Sequence, residues 1–179
     1  MSSSISIACS RRTTDPAMTY VLRPYRHADA HALAAVTLAA IRQVGAVAYT
    51  PEQVAAWAAR HPGPGRFVER VERGATILVA AGKNDIPVAY ALLEVVDGRS
   101  GHLDMLYCDP GHTRQGLADR LLAASEEEAR SRELVRLFTE ASELARPAFA
   151  RAGYAVTHRR DFEIDGVPIH NYAMEKMLD

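Results

Sequence analysis

The chain has 179 residues, of which 48% are hydrophobic and 24% are charged, and its formal net charge is −1. These totals predict a single soluble domain, and the near-neutral charge gives no reason to expect nucleic acid or an anionic membrane as a partner. No apolar run approaches the roughly 18 residues of a membrane helix. Cys9 and Cys108 have neither disulfide-framework nor metal-ligand spacing, so we expect a cytoplasmic protein without a metal.

The first residues differ in composition from the rest of the chain. Residues 1–17 are serine-rich and polar, and we predict a flexible N-terminal extension there, unless Met18 is the native start. Arg11 and Arg12 resemble a twin-arginine pair, but no apolar segment follows them, so a signal peptide is not expected. One domain is therefore predicted over residues 18–179.

The first half of the domain predicts a strand followed by helices. Thr50 can cap a helix, Pro51 suits its first turn, and Gln53 can close a capping box. Proline and glycine between residues 61 and 65 break that helix. The predicted elements are a strand at 19–24, helices at 29–40 and 50–60, and one or two helical turns at 67–72.

The second half changes to a β pattern. β-Branched and apolar runs, with Asp97-Gly98 as a hairpin signal, predict an antiparallel three-strand meander. A later strand–helix–strand passage predicts one parallel pair within a mostly antiparallel sheet. The fold class is thus α+β, a sheet of about seven strands with helices on both faces. The predicted strands are 76–81, 86–96, 102–108, 135–140, 154–164 and 167–174, and the helices are 117–130 and 144–151.

A short basic turn joins the third meander strand to the next helix. It runs from Asp109 to Ala118 and contains Gly111 and Gly116, and such a turn presents unpaired backbone N–H groups to phosphate. A Rossmann fingerprint needs a further glycine, and a Walker A loop needs Gly-Lys-Ser/Thr, so neither fits. A pyrophosphate cofactor of another kind is expected.

The chain resembles the GNAT superfamily of acyl-CoA-dependent N-acetyltransferases over about residues 19–177. The resemblance rests on the element order, on residues 106–110, and on a loop that partly matches Q/R-x-x-G-x-G/A, with Gly116 and Ala118 in place. Thr113 stands where the family has Gln or Arg, and Arg114 and Gln115 are candidates to compensate. Residues 49–53 and 140–147 are similar to a bacterial subgroup of small, uncharacterised acetyltransferases.

The resemblance implies an acetyl-CoA site. The backbone of Leu106, Tyr107 and Cys108 would hold the pantetheine arm and thioester. The backbone of the following turn would cradle the pyrophosphate, and Ser142 and Phe149 would contact the cofactor. The residues assigned to the turn are Thr113, Arg114, Gln115, Gly116, Leu117 and Ala118.

Direct transfer to an alkylamine needs a group that removes a proton. At pH 7 only roughly one alkylamine in 2,500 is neutral, since its pKa is about 10.4. His102, Asp104 and Leu106 alternate along one strand, so their side chains are expected on one face. His102 is the candidate base, Asp104 would orient it or raise its pKa, and Glu140 is a second candidate base.

Phe149 and Cys108 bear on two further questions: which group protonates the leaving thiolate, and whether the acetyl group passes through a cysteine. Phe149 occupies the place where the family has a tyrosine that protonates the leaving thiolate, so that proton would come from water, Tyr107 or Tyr154. Cys108 could form an acetyl-cysteine, but no His–Asp pair is arranged for it in sequence, and a structural cysteine is favoured.

The acceptor is expected to be an amine of a small molecule rather than of a protein. The resemblance places it near residues 41–49, Trp57 and 161–172, where Tyr49 is a wall residue and Glu52, Glu94 and Glu140 could attract a cation. A non-catalytic acyl-CoA sensor is the alternative function, because Phe149 cannot donate a proton. The chain is expected to be a monomer or a homodimer.

Overall fold

The computed structural model describes residues 19–61 and 63–179; the predicted extension at 1–17 lies outside these residues. The predicted elements are present, with ends that shift by a few residues. The strands are β1 Val21–Pro24, β2 Thr76–Ala81, β3 Pro87–Val95, β4 Ser100–Cys108, β5 Arg136–Ala141, β6 Ala155–Ile164 and β7 Val167–Met177. The α-helices are α1 Ala30–Ala39, α2 Pro51–Ala59, α3 Gly65–Glu72, α4 Leu117–Ser131 and α5 Arg146–Arg151.

The strands form one seven-stranded sheet in the order β1-β2-β3-β4-β5-β7-β6. Neighbouring strands are antiparallel except β4 and β5, which are parallel. A parallel pair requires a crossover, and α4 supplies it. The predicted mixed sheet is confirmed.

Helices cover both faces of the sheet. On one face, Leu33 and Val36 of α1 pack against buried side chains of β2, β3 and β4. On the other, Leu117 and Leu121 of α4 pack on the small side chains of β2 and β3. Each helix therefore buries the apolar stripe that its sequence predicts.

The start of α2 confirms the predicted capping box. The Thr50 hydroxyl accepts a hydrogen bond from the Gln53 backbone N–H at 3.3 Å, and the Gln53 side-chain oxygen accepts one from the Thr50 N–H at 3.0 Å. The Gln53 amide also donates to the Pro168 carbonyl at 2.6 Å. The cap thus attaches α2 to β7.

The first helical segment is longer than predicted. A π-helical stretch, Ala40–Val44, and a 3₁₀ turn, Gly45–Val47, continue α1. The whole run His27–Val47 is long and apolar enough to cross a membrane by length and composition, which corrects the expectation that no run approaches this length. Leu33, Val36 and Ile41 are buried in the core, as in the core helix of a globular domain.

A β-bulge on β4 changes which side chains share a face. Leu92 is paired with Met105 but Leu93 with Leu103, so Asp104 is an extra residue on β4. Asp104 reaches α3, whereas Leu106 packs against α4 on the opposite face. The expectation that Leu106 shares a face with Asp104 is therefore wrong, because the bulge shifts the alternation by one residue.

Strands β4 and β5 separate soon after they meet. Their register covers three pairs, from Ser100↔Arg136 to His102↔Phe138. The Thr139 hydroxyl then donates to the Leu103 carbonyl at 2.8 Å and closes the junction. Beyond it, the β4 edge from Asp104 to Cys108 and the end of β5 form the two sides of a cleft.

Candidate active site

The cleft consists of two adjoining cavities of about 320 and 170 Å³. Both are lined by Trp57, Leu106, Tyr107, Ser142 and Ala145, so they meet between β4 and the segment after β5. We call the larger the polar cavity, because charged side chains line it, and the smaller the apolar cavity.

The apolar cavity brings together most of the predicted cofactor contacts. Its lining includes Leu106, Tyr107 and Cys108 of β4 together with Thr113, Ala118 and Ser142. The π-helical Val44 and Ala40 also line it; Val44 lies in the region 41–49 expected near the acceptor, and Ala40 had no predicted role. Phe149 lies at the polar cavity, where it is 2% exposed.

The turn between β4 and α4 has the backbone shape of an anion-binding loop. Arg114 has φ 60° and Gly116 has φ 72°, so the chain turns through left-handed conformations just before α4. Gly116 is the N-cap of α4, whose first N–H groups have no partner within the helix. Leu117 is buried in the core and offers its backbone alone. Gln115 is an exposed neighbour in this turn.

Glu140 and His102 form a hydrogen-bonded pair beside the polar cavity. His102 Nε2 lies 2.6 Å from Glu140 Oε2, and the imidazole stacks on Phe138 with ring centroids 4.8 Å apart. Glu140 lines the cavity and His102 lies behind it. Arg160 approaches the second oxygen of Glu140 at 3.5 Å.

The protonation of this pair is coupled. Burial opposes a charge on His102, but the hydrogen bond that the imidazolium donates to Glu140, together with the surrounding carboxylates, outweighs burial and raises the pKa of His102 above its ordinary value. The same hydrogen bond lowers the pKa of Glu140. Glu140 therefore stays ionised, and His102 gains or loses a proton at a pH above that of a free histidine.

Asp104 does not have the orienting role expected of it. Its carboxylate lies 3.1 Å from Arg70 and 3.4 Å from Arg66, both on α3. His102 is held by Glu140 instead, and Asp104 acts on it through charge. The bulge explains the difference, because it brings Asp104 next to α3.

Comparison with known proteins places this geometry in a family. Residues 46–176 match the family described as acetyltransferase (GNAT) domain. The chain belongs to the GNAT acetyltransferase family. It is therefore an N-acetyltransferase that uses acetyl-CoA as its acetyl donor.

Individual relatives support the assignment. The chain is 33% identical to a GCN5-related N-acetyltransferase structure from Rhodopseudomonas palustris, with a TM-score of 0.79 over 93% of this chain and 100% of that one. It is 28% identical to the uncharacterised N-acetyltransferase YafP of Escherichia coli, over 86% of this chain and 93% of that protein. The fold is also similar to the PaiA N-acetyltransferase of Thermoplasma acidophilum in complex with coenzyme A, with a TM-score of 0.73 at 16% identity, over 89% and 99% of the two chains.

In this GNAT enzyme, two candidates for the thiolate's proton donor differ in position. Tyr107 lines both cavities, and burial raises its pKa, so its hydroxyl keeps its proton. Tyr154 packs edge-on against Phe149 at 5.2 Å, and its ring faces Lys176. Among the tyrosines suggested by the sequence, Tyr107 is therefore the one at the cleft.

Cys108 has the environment of a structural thiol. Burial, together with the charge of Asp109, raises its pKa to about 11, so the thiol is protonated at neutral pH. The lowered reactivity agrees with the expectation that Cys108 is not a nucleophile.

The acceptor side of the cleft is partly as predicted. Tyr49, Trp57 and Phe162 line the polar cavity, and so does Glu140. Of the other two acids, Glu52 is exposed on α2 and Glu94 is paired with Arg70, so neither lines this cavity.

Sequence reasoning missed His61, and it included Asn171 only as part of the acceptor region 161–172. His61 lines the polar cavity with its ring 5.8 Å from that of Tyr107, and burial beside Arg66 lowers its pKa to about 4. Asn171 lines the same cavity, and its buried Oδ1 atom accepts no hydrogen bond from the described residues. His61 follows a helix end and Asn171 lies on an ordinary strand, so no periodicity could mark either.

Sequence reasoning also missed a network of hydrogen bonds that supports the segment after β5. Glu143 accepts hydrogen bonds from Tyr172 at 2.7 Å and Arg146 at 2.7 Å, and its backbone N–H donates to the Tyr49 hydroxyl at 2.8 Å. These bonds, with His170, lower the pKa of Glu143 to about 2. The network fixes the Ser142 segment where the two cavities meet.

Proposed function

We propose that this enzyme acetylates a primary amine of a small molecule by direct attack of the amine on the thioester of acetyl-CoA. The observation that carries the proposal is the meeting of an apolar and a polar cavity at the open edge of β4, with Glu140 and His102 on the polar side. The volume of the polar cavity, about 320 Å³, suits a small acceptor.

The residues present fit acetyl-CoA. The β4 edge beyond Asp104 has no β5 partner in the register, so its backbone groups are available to a pantetheine amide. The apolar lining suits the arm, and the first N–H groups of α4 suit a pyrophosphate. When bound, acetyl-CoA would supply an activated acetyl group, and Tyr107 is the suggested proton donor that lines the cleft.

Glu140 and His102 are proposed to accept the proton of the amine. Most of an alkylamine is protonated at pH 7, and the ionised Glu140 carboxylate can hold the ammonium group in the cavity. The ammonium group gives its proton to Glu140, and a neutral His102 with an unprotonated Nε2 takes that proton up across their hydrogen bond. Asp104 is already paired with two arginines, so it is a weaker candidate.

The experiment is coenzyme A release from acetyl-CoA, followed with a thiol reagent against a panel of small amines. Amine-dependent release is the expected result. Binding of acetyl-CoA without turnover of any amine would contradict the proposal and identify an acyl-CoA sensor. Phe149 is compatible with such a sensor, because it has no hydroxyl group to donate a proton. We also propose a cytoplasmic location, which cell fractionation tests. A monomeric or homodimeric state is proposed as well, and sedimentation tests it.

A further inference from the structure

The charges that line the polar cavity are balanced. Two arginines, Arg66 and Arg160, and two carboxylates, Asp104 and Glu140, line it. A polycationic acceptor such as a polyamine would find as much repulsion as attraction there. A molecule with one positive and one negative group finds a partner for each.

Arg66 is the more buried of the two cavity arginines, with a side chain 23% exposed against 42% for Arg160, and it has unused hydrogen-bonding capacity. Its guanidinium contacts Asp104 at 3.4 Å and His61 Nδ1 at 3.3 Å, both at the long end of the hydrogen-bond range. Arg70 lies closer to Asp104, at 3.1 Å, and also pairs with Glu94. Asp104 is thus neutralised by Arg70, which leaves the donors of Arg66 for a ligand.

Acceptors for an ammonium group lie elsewhere in the same cavity. Glu140 is one, because its ionised carboxylate lines the cavity, and the Asn171 side chain also lines it. The cavity therefore has separate places for an acid and for an amine.

We infer that the acceptor is an amino acid or a similar small amine that also carries a carboxylate or comparable acid group, and that Arg66 binds the acid group. The inference rests on the proposed function, because it names the substrate class of the same site. Tyr49, Trp57 and Phe162 give the cavity apolar walls suited to the body of such a molecule.

The test compares α-, β- and ω-amino acids with their carboxamides and their decarboxylated amines as acceptors. The wild-type enzyme should prefer at least one acid over its carboxamide by about tenfold or more in kcat/KM, the scale of one charge-assisted hydrogen bond. The amine of an α-carboxamide is less basic, which by itself would favour the carboxamide, so this preference would report the acid group.

Substitutions of two arginines separate recognition of the acid group from an effect on packing. Arg66→Met should abolish the preference, and Arg66→Lys should restore part of it, since lysine keeps the charge without the planar fork. Arg73→Met is the matched control: Arg73 ends α3, is exposed and does not line the cavity, so this variant should keep the preference. Thermal unfolding of each variant shows whether it is folded.

The outcomes distinguish the two proposals. Acetylation of amines without any preference for the acid, a preference for polyamines, or equal loss of the preference in Arg66→Met and Arg73→Met would overturn the inference and leave the proposed function intact. Absence of turnover with every amine, in an enzyme that binds acetyl-CoA, would overturn both.

Discussion

Glu140 and His102 come from neighbouring strands and join across the last pair of the parallel register, with Oε2 and Nε2 2.6 Å apart. The register ends at His102↔Phe138, so Glu140 lies where β5 has begun to leave β4. The pair is thus placed at the opening of the cleft, with the carboxylate towards the cavity and the imidazole behind it.

The first prediction concerns the pH dependence of transfer. His102 must be neutral to take up a proton, and its pKa is raised in the folded protein. The kcat/KM for an amine should therefore rise with pH through an apparent pKa above about 6.5, the ordinary value for histidine. In His102→Gln this inflection should vanish; the same inflection in the variant would assign it to another group.

The second prediction concerns Gly116. Its φ of 72° is a conformation that a side chain disfavours, although a Cβ would meet no described atom within 4 Å. Gly116→Ala should cost about 1 kcal/mol in the free energy of unfolding and also weaken acetyl-CoA binding in calorimetry, because it alters the N-cap of α4.

Gly166 provides the matched control for Gly116. It has φ 81° and equally open surroundings, but lies in the turn between β6 and β7. Gly166→Ala should lower stability by a similar amount and leave acetyl-CoA affinity unchanged. Equal affinity in both variants would argue against a pyrophosphate site at the start of α4.

The third prediction concerns the stability of the Glu143 network. The pKa of Glu143 is lowered to about 2 by Tyr172, Arg146 and His170. A lowered folded-state pKa stabilises the protein above the unfolded-state value of about 4.3, and this stabilisation is lost as pH falls towards 2. Glu143→Gln should flatten the fall of Tm between about pH 5 and 2; a slope like that of the wild type would show that the network contributes no pH-dependent stability.

The fourth prediction concerns Cys108. With its pKa near 11, the thiol should not accept an acetyl group when the enzyme is mixed with acetyl-CoA and no amine. Peptide mass spectrometry should find the Cys108 peptide unmodified. Stoichiometric acetylation of that thiol would indicate a covalent route in place of direct transfer.

The element order was predictable because each element has a clear period or end signal. The capping box of Thr50 and Gln53, the meander and the helix after Gly116 all follow from local patterns. The candidate residues His102 and Glu140 were also named, but not as partners, because 38 residues separate them in the chain. Sequence patterns carry no information on such a pairing until the strand register is known.

The bulge at Asp104 could not be predicted from the sequence pattern. One extra residue in β4 leaves the apolar pattern almost unchanged, yet it sends Leu106 to the opposite face and brings Asp104 to Arg66 and Arg70. The polar cavity also depends on His61, in the segment between α2 and α3, and on Asn171 of β7. Tertiary packing, and not local propensity, therefore determined the acceptor side of the site.

The central claim is that Glu140 and His102 remove the proton of the acceptor amine. Its most direct test is the rate of amine-dependent coenzyme A release by Glu140→Gln, with the exposed Glu163→Gln on β6 as the control. We expect kcat to fall about 100- to 10,000-fold in Glu140→Gln, with acetyl-CoA affinity unchanged in that variant. Glu163→Gln should keep the wild-type rate. A Glu140→Gln enzyme that transfers acetyl at the wild-type rate would contradict the claim.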